Sequence, residues 1–121
     1  MKALDIIKIL DANPLLLKDD NFYNTEFHQV FASDLMSDVL ALIKDRFEKT
    51  VLLTGLCNVQ SLRTAEMLDL KCIIYVRDKV LDEDTLEMAK EMNVSIFTTK
   101  YTMYEACGKL YEKGLSSIND I

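Results

Sequence analysis

The chain carries little of what metal and cofactor sites are usually built from. There is one histidine, His28, so no pair of imidazoles is available to hold a metal. The three cysteines, Cys57, Cys72 and Cys107, lie far apart. Their odd count and the lack of a C-x-x-C pair suggest neither a disulfide framework nor a zinc site. A Cys/His/Asp triad can be assembled from the inventory, but nothing in the spacing supports one. No G-x-x-x-x-G-K-[ST] stretch exists to cradle ATP phosphates, and no G-x-G-x-x-G marks a dinucleotide site. No metal or cofactor is expected.

Positive charge is also short. Lys and Arg number 14 against 20 Asp and Glu, for a formal net charge of −6. No basic run breaks this balance, so nucleic acid is not an expected partner. No apolar stretch reaches the roughly 18 residues of a membrane span. The opening MKALDIIKILDANP reads as a short amphipathic helix, because Asp5, Lys8 and Asp11 interrupt any signal-peptide core. The expectation is a cytoplasmic protein that does not meet a membrane. Proline occurs once, glycine three times, and no Pro/Ser/Gly-rich linker divides the chain. Residues 1–121 therefore read as a single domain, with 116–121 (SSINDI) a flexible tail.

Half of the residues are hydrophobic, enough for one real core. Three β-rich runs stand out: TVLLT at 50–54, CIIYV at 72–76 and VSIFT at 94–98. They are nearly continuous in apolar residues, which suits strands buried on both faces. Helical patterns fill the gaps. Val59, Leu62, Ala65 and Leu68 recur at helical spacing, as do Leu86, Ala89 and Met92 behind Asp82, Glu83 and Asp84. Thr102 and Glu105 form a T-x-x-E capping box for a last helix whose buried stripe is Met103, Ala106, Cys107 and Leu110. Gly114 supplies its stop, with Leu115 packing back. Repeated strand–helix units predict an α/β domain of three layers, with a mostly parallel sheet and right-handed crossovers.

The first half is less regular. Residues 3–12 look helical up to Pro14, PLLLK and HQVFAS read as short strands, and DDNFYN as a polar connector. Ser33 or Asp34 is expected to cap a helix at 34–47 with Leu35, Val39, Leu42 and Ile43 inward.

In such a sheet, ligands bind outside the carboxyl ends of the strands. The loops at 32–37, 55–58, 77–79 and 99–102 would supply Ser33, Asp34, Ser37, Asn58, Arg77, Thr99, Lys100 and Thr102. Helix N-termini there suit an anion, and Arg77 adds a fork of donors. Capping alone also explains Ser33, Asn58 and Thr102. Cys57, near a helix start, is the one candidate for a reactive, redox-sensitive thiol; a reduced, half-buried cysteine is the plainer reading. Tyr101, Tyr104 and Tyr111 give the last helix an aromatic edge suited to a partner. Gly108, in mid-helix, would be explained by a close helix–helix approach within one chain or across a dimer.

TGLCNVQSLRTAEMLDLKCIIYV, LDEDTLEMAKEMNVSIFTTKYTMYEACGKLYEKGL and FASDLMSDVLA together resemble the DRTGG domain family. The resemblance covers nearly the whole chain and is best over residues 31–115. Within that family the chain is similar to a stand-alone branch from anaerobic bacteria, associated with iron-hydrogenase and redox-sensor gene neighbourhoods. The resemblance implies an α/β domain similar to the N-terminal domain of HPr kinase/phosphorylase. The family's domain also occurs in some phosphotransacetylases and between CBS domains in regulated pyrophosphatases. It implies a regulatory or dimerising module without catalytic residues, since the kinase activity belongs to a separate P-loop domain. The name-giving letters are replaced here. The Asp-Arg pair falls approximately on residues 56–58, Leu-Cys-Asn, and Thr-Gly-Gly approximately on Val76, Arg77 and Asp78.

The leading expectation is a non-catalytic regulatory, ligand-sensing or dimerisation module, linked to anaerobic redox or hydrogenase metabolism. Its expected partners are a second copy, a small anionic ligand at the carboxyl edge, or another protein. One alternative is a receiver-like phosphotransfer domain using Asp19 and Asp20 after PLLLK. The other is a redox-responsive binding module built on Cys57.

Overall fold

The three apolar runs form the middle of one sheet in a computed structural model that describes residues 1–119. The strands are β1 (Asn13–Leu16), β2 (Gln29–Ala32), β3 (Thr50–Thr54), β4 (Cys72–Tyr75), β5 (Ser95–Thr98) and β6 (Ser116–Ser117). The helices are α1 (Ala3–Leu10), α2 (Met36–Leu42), α3 (Val59–Leu68), α4 (Glu83–Lys90) and α5 (Met103–Glu112). The strand order is β1-β5-β4-β3-β2-β6. Neighbours are parallel except β1, which runs antiparallel to β5 at the edge. Pro14 is tolerated in β1 because an edge strand has one unpaired side.

Topology dictates the layers. From β2 to β5 each step moves one strand in the same direction, so right-handed crossovers place α2, α3 and α4 on one face. The return from β5 to β6 crosses to the far edge and carries α5 to the other face, beside α1. Side chains of the strands alternate accordingly. Leu52, Ile73, Tyr75 and Ile96 pack with Met36, Val39, Leu62, Ala65 and Ala89. Val51, Leu53, Ile74 and Phe97 pack with Ile6, Leu10, Ala106 and Leu110. The α/β class and the mostly parallel sheet are as the sequence predicts.

Helix ends follow local chemistry. Asn58 and Asp82 accept from Ser61 N and Thr85 N, at 3.2 and 2.8 Å, and Thr102 with Glu105 forms the capping box. Beyond α5, Gly114 (φ +98°) and Leu115 donate to the carbonyls of Tyr111 and Leu110, a Schellman closure.

Three expectations are corrected. α2 spans seven residues and starts at Met36 after Leu35, which makes no side-chain cap. Its inward residues are Met36, Val39 and Ile43, spaced i, i+3 and i+7, while Leu35, ahead of the helix, and Leu42, off that stripe, face solvent. Ser116 and Ser117 are not a loose tail: as β6 they pair with Gln29 and Val30, which extends the sheet past β2. Residues 120–121 of that expected tail lie outside the described residues. Lastly, the antiparallel β1 carries Asp19 and Asp20 to the amino edge, away from where a receiver-like acidic pocket would sit.

Candidate functional site

After β4 the chain turns to the α4 face, and after β5 to the α5 face. The crevice where a doubly wound sheet takes a ligand is therefore expected between the β4 and β5 loops. Here those loops are pinned together. The N–H groups of Arg77 and Asp78 donate to the carbonyls of Tyr101 and Thr99, at 2.9 and 2.8 Å. Both residues hold left-handed backbone, φ 60° and 55°, to do so. Thr99 is buried; its hydroxyl donates to Leu10 O at 2.6 Å and accepts from Tyr101 N at 3.3 Å. It faces no opening.

The neighbouring loops are held by side chains. Asp34 Oδ1 accepts from Gly55 N at 2.6 Å and from Thr54 Oγ1 at 3.2 Å. Lys79 Nζ donates to Gly55 O at 2.9 Å. A Cβ on Gly55 would stand 3.2 Å from Arg77 Nη2 and from both Asp34 carboxylate oxygens, so glycine allows this close approach. The fold thus gathers Asp34, Gly55, Arg77 and Lys79 at one point. Ser33 does not cap α2: its hydroxyl accepts from Leu35 N at 3.0 Å in a local turn. Ser37 is exposed on α2, Lys100 lies 3.5 Å from the exposed Asp11, and Asn58 and Thr102 are caps.

Cys57 is half-buried beside this loop. Burial pushes its thiol up to about 11, which the nearby Lys79 opposes and Asp82 reinforces. Desolvation is thus the largest influence on this thiol, and it favours the protonated form.

An open groove of ≈ 500 Å³ lies elsewhere, between α5, β2 and the β6 segment. Val30, Ala32 and Leu115 contribute apolar surface, and Tyr104, Gly108 and Tyr111 form its helical wall. Tyr104 and Tyr111 are 87% and 80% exposed. A Cβ on Gly108 would meet nothing within 4 Å, so no intramolecular contact requires this glycine. Tyr101 is occupied differently, with Lys109 Nζ 4.6 Å and Lys100 Nζ 5.6 Å from its ring centre.

Among solved structures, the chain is similar to the CBS and DRTGG domains of the regulatory region of Clostridium perfringens pyrophosphatase, complexed with the activator diadenosine tetraphosphate. The TM-score is 0.69 at 15% identity, over 99% of this chain and 50% of that one. The fold is DRTGG-like. This chain spans about half the length of that neighbour. No family model matches, and a search of curated proteins returns no match. The further similarity to HPr kinase/phosphorylase rests on the sequence resemblance.

In this DRTGG-like fold, Arg77 and Asp78 adopt the positive φ that suits the two glycines the resemblance places there. The sequence reading missed the groove as a cavity. Its signal was the tyrosine edge with Gly108 between, at i, i+4 and i+7 along one helix face.

Proposed function

We propose that this protein is a non-catalytic, cytoplasmic regulatory module whose sensing surface is the groove beside α5. One observation carries the reading: Gly108 sits mid-helix, facing open space, between two almost fully exposed tyrosines. A glycine there costs roughly 1 kcal/mol relative to alanine. With no internal contact to require it, close approach by something outside the fold accounts for it. The groove's volume, ≈ 500 Å³, lies within the range of about 300–1,000 Å³ of small-molecule sites. Two tyrosine faces over an apolar floor suit a planar ring with a polar edge, as in a nucleotide. The pyrophosphatase neighbour, complexed with a dinucleotide activator, supports testing that class first.

At the carboxyl edge Asp34, Asn58, Thr99 and Thr102 are engaged in holding the fold, which favours the groove as the sensing surface. A redox form of the reading would run through Cys57, and its raised pKa weighs against it.

Thermal-shift and calorimetric titrations with adenosine, ATP and diadenosine tetraphosphate test the reading, using the wild type, Gly108→Ala and Tyr104→Ala. Gly108→Ala is expected to stabilise the free protein by about 0.5–1 kcal/mol while weakening binding. Binding unchanged in both variants would remove the groove from the reading. The same surface favours a second copy as the alternative occupant. A sedimentation dimer that Gly108→Ala dissociates, with no nucleotide binding, would favour that reading.

A further inference from the structure

The end of the sheet opposite the carboxyl edge also carries a cavity. A cavity of ≈ 290 Å³ opens at the amino ends of β3, β4 and β5. Lys49 immediately precedes β3, Lys71 immediately precedes β4, and Asn93 lies just before β5. Because β1 runs antiparallel to β5, the residues after it, Lys18 onward, return to this edge and complete the wall. Three lysines thus line one cavity in a chain of net charge −6.

Their pairing is incomplete. Lys71 Nζ meets Asp69 at 2.9 Å, an exposed contact of small worth. Lys18 Nζ donates to the carbonyl of Met92 at 3.1 Å, which holds the ammonium in place without neutralising it. Among the described residues, neither Lys18 nor Lys49 has a carboxylate within 4.0 Å. Asp19 and Glu48 also line the cavity, so its lining carries three basic and two acidic side chains. Between the lysines, the Asn21 and Asn93 amides offer donors and acceptors for hydroxyl groups, and Phe22 with Val94 supplies an apolar floor.

We infer that this cavity binds a small phosphate monoester. Lysine ammoniums act as point charges toward a phosphate dianion, and the polar and apolar remainder matches a short hydroxylated carbon skeleton. The volume, ≈ 290 Å³, stands at the lower end of the range of about 300–1,000 Å³ for ligand pockets and suits a small ligand. The inference is independent of the groove beside α5.

The test is a nitrogen-15 amide NMR titration of the whole chain with glucose 6-phosphate, inorganic phosphate, succinate and glucose. Saturable shifts are expected at Asn21, Lys49, Asn93 and Val94 with the two phosphates and not with glucose. Lys49→Gln and Lys71→Gln, examined separately for retained fold, should each weaken glucose 6-phosphate binding at least about tenfold. Tyr104→Ala should leave it unchanged, which separates this site from the groove. The inference is overturned by no saturable shift up to about 10 mM, a very weak limit on the affinity scale. Equal binding of succinate, shifts centred on Gly55 and Arg77, or full affinity in both lysine variants would overturn it as well.

Discussion

Asp78 shows how tertiary demand overrides residue preference. Left-handed backbone costs a non-glycine residue roughly 1–2 kcal/mol. It persists because the Asp78 N–H reaches Thr99 O at 2.8 Å and ties the two central loops. Glycine there would lose about 0.5–1 kcal/mol to the greater freedom of the unfolded chain, so relief of strain wins. Asp78→Gly should raise unfolding stability by about 0.5–1 kcal/mol in a urea melt. At Cys57 the decisive quantity is burial, which raises the thiol to about 11. Little thiolate then exists near neutrality, and the thiolate is the nucleophile. Iodoacetamide at pH 8 should label Cys57 in the native protein more slowly than in urea-unfolded protein. Equal or faster native labelling would restore the redox-sensing reading.

At the scale of elements, a single carboxylate joins the ends of β2 and β3. Asp34 accepts from Gly55 N at 2.6 Å and from Thr54 Oγ1, and with its carboxylate turned to β3 it makes no cap on α2. That is why α2 was misplaced from sequence. Ser33 and Asp34 have the composition of caps, yet the partner that claims Asp34 lies 21 residues away. Caps whose partners are local, Asn58 and Thr102, were legible, and so were the helices they start. Charged hydrogen bonds of this kind are worth about 1.5–3 kcal/mol, and truncation leaves Gly55 N without its acceptor. Asp34→Ala should destabilise by about that amount in denaturant unfolding, and Asp34→Asn by less, since an amide oxygen can still accept. A loss under about 0.5 kcal/mol in Asp34→Ala would show that the loops hold together without it.

At the scale of the whole molecule, the same alternation that sorts strand side chains into two cores also made the sheet readable from sequence. The candidate sites were less so. Lys18, Lys49 and Lys71 share no motif: the parallel pairing of β3 and β4 sets Lys49 and Lys71 side by side, and the antiparallel β1 returns Lys18 to the same cavity. The cores also set the response to pH. Burial raises Cys72 and Tyr75 well above their ordinary values of 9.0 and 10.0, and Cys57 from 9.0 to about 11. These groups bind their protons more tightly folded than unfolded. Their contribution is complete below pH 9 and is lost as pH rises, for Cys57 between pH 9 and about 11. Asp82 and Glu105 act in the opposite sense. Hydrogen bonds from Thr85 and Thr102 lower them, so their share is present above 3.8 and 4.5 and fades as pH falls. Both are exposed and contribute little. The urea midpoint should therefore fall steadily from about pH 9 to about pH 10.5, as pH rises past these groups' ordinary values toward their raised ones. Cys72→Val keeps a side chain of similar size in the core and removes one titrating proton, so its midpoint should fall less over that window. An identical decline in the variant would assign the alkaline loss to Tyr75 and the remaining groups.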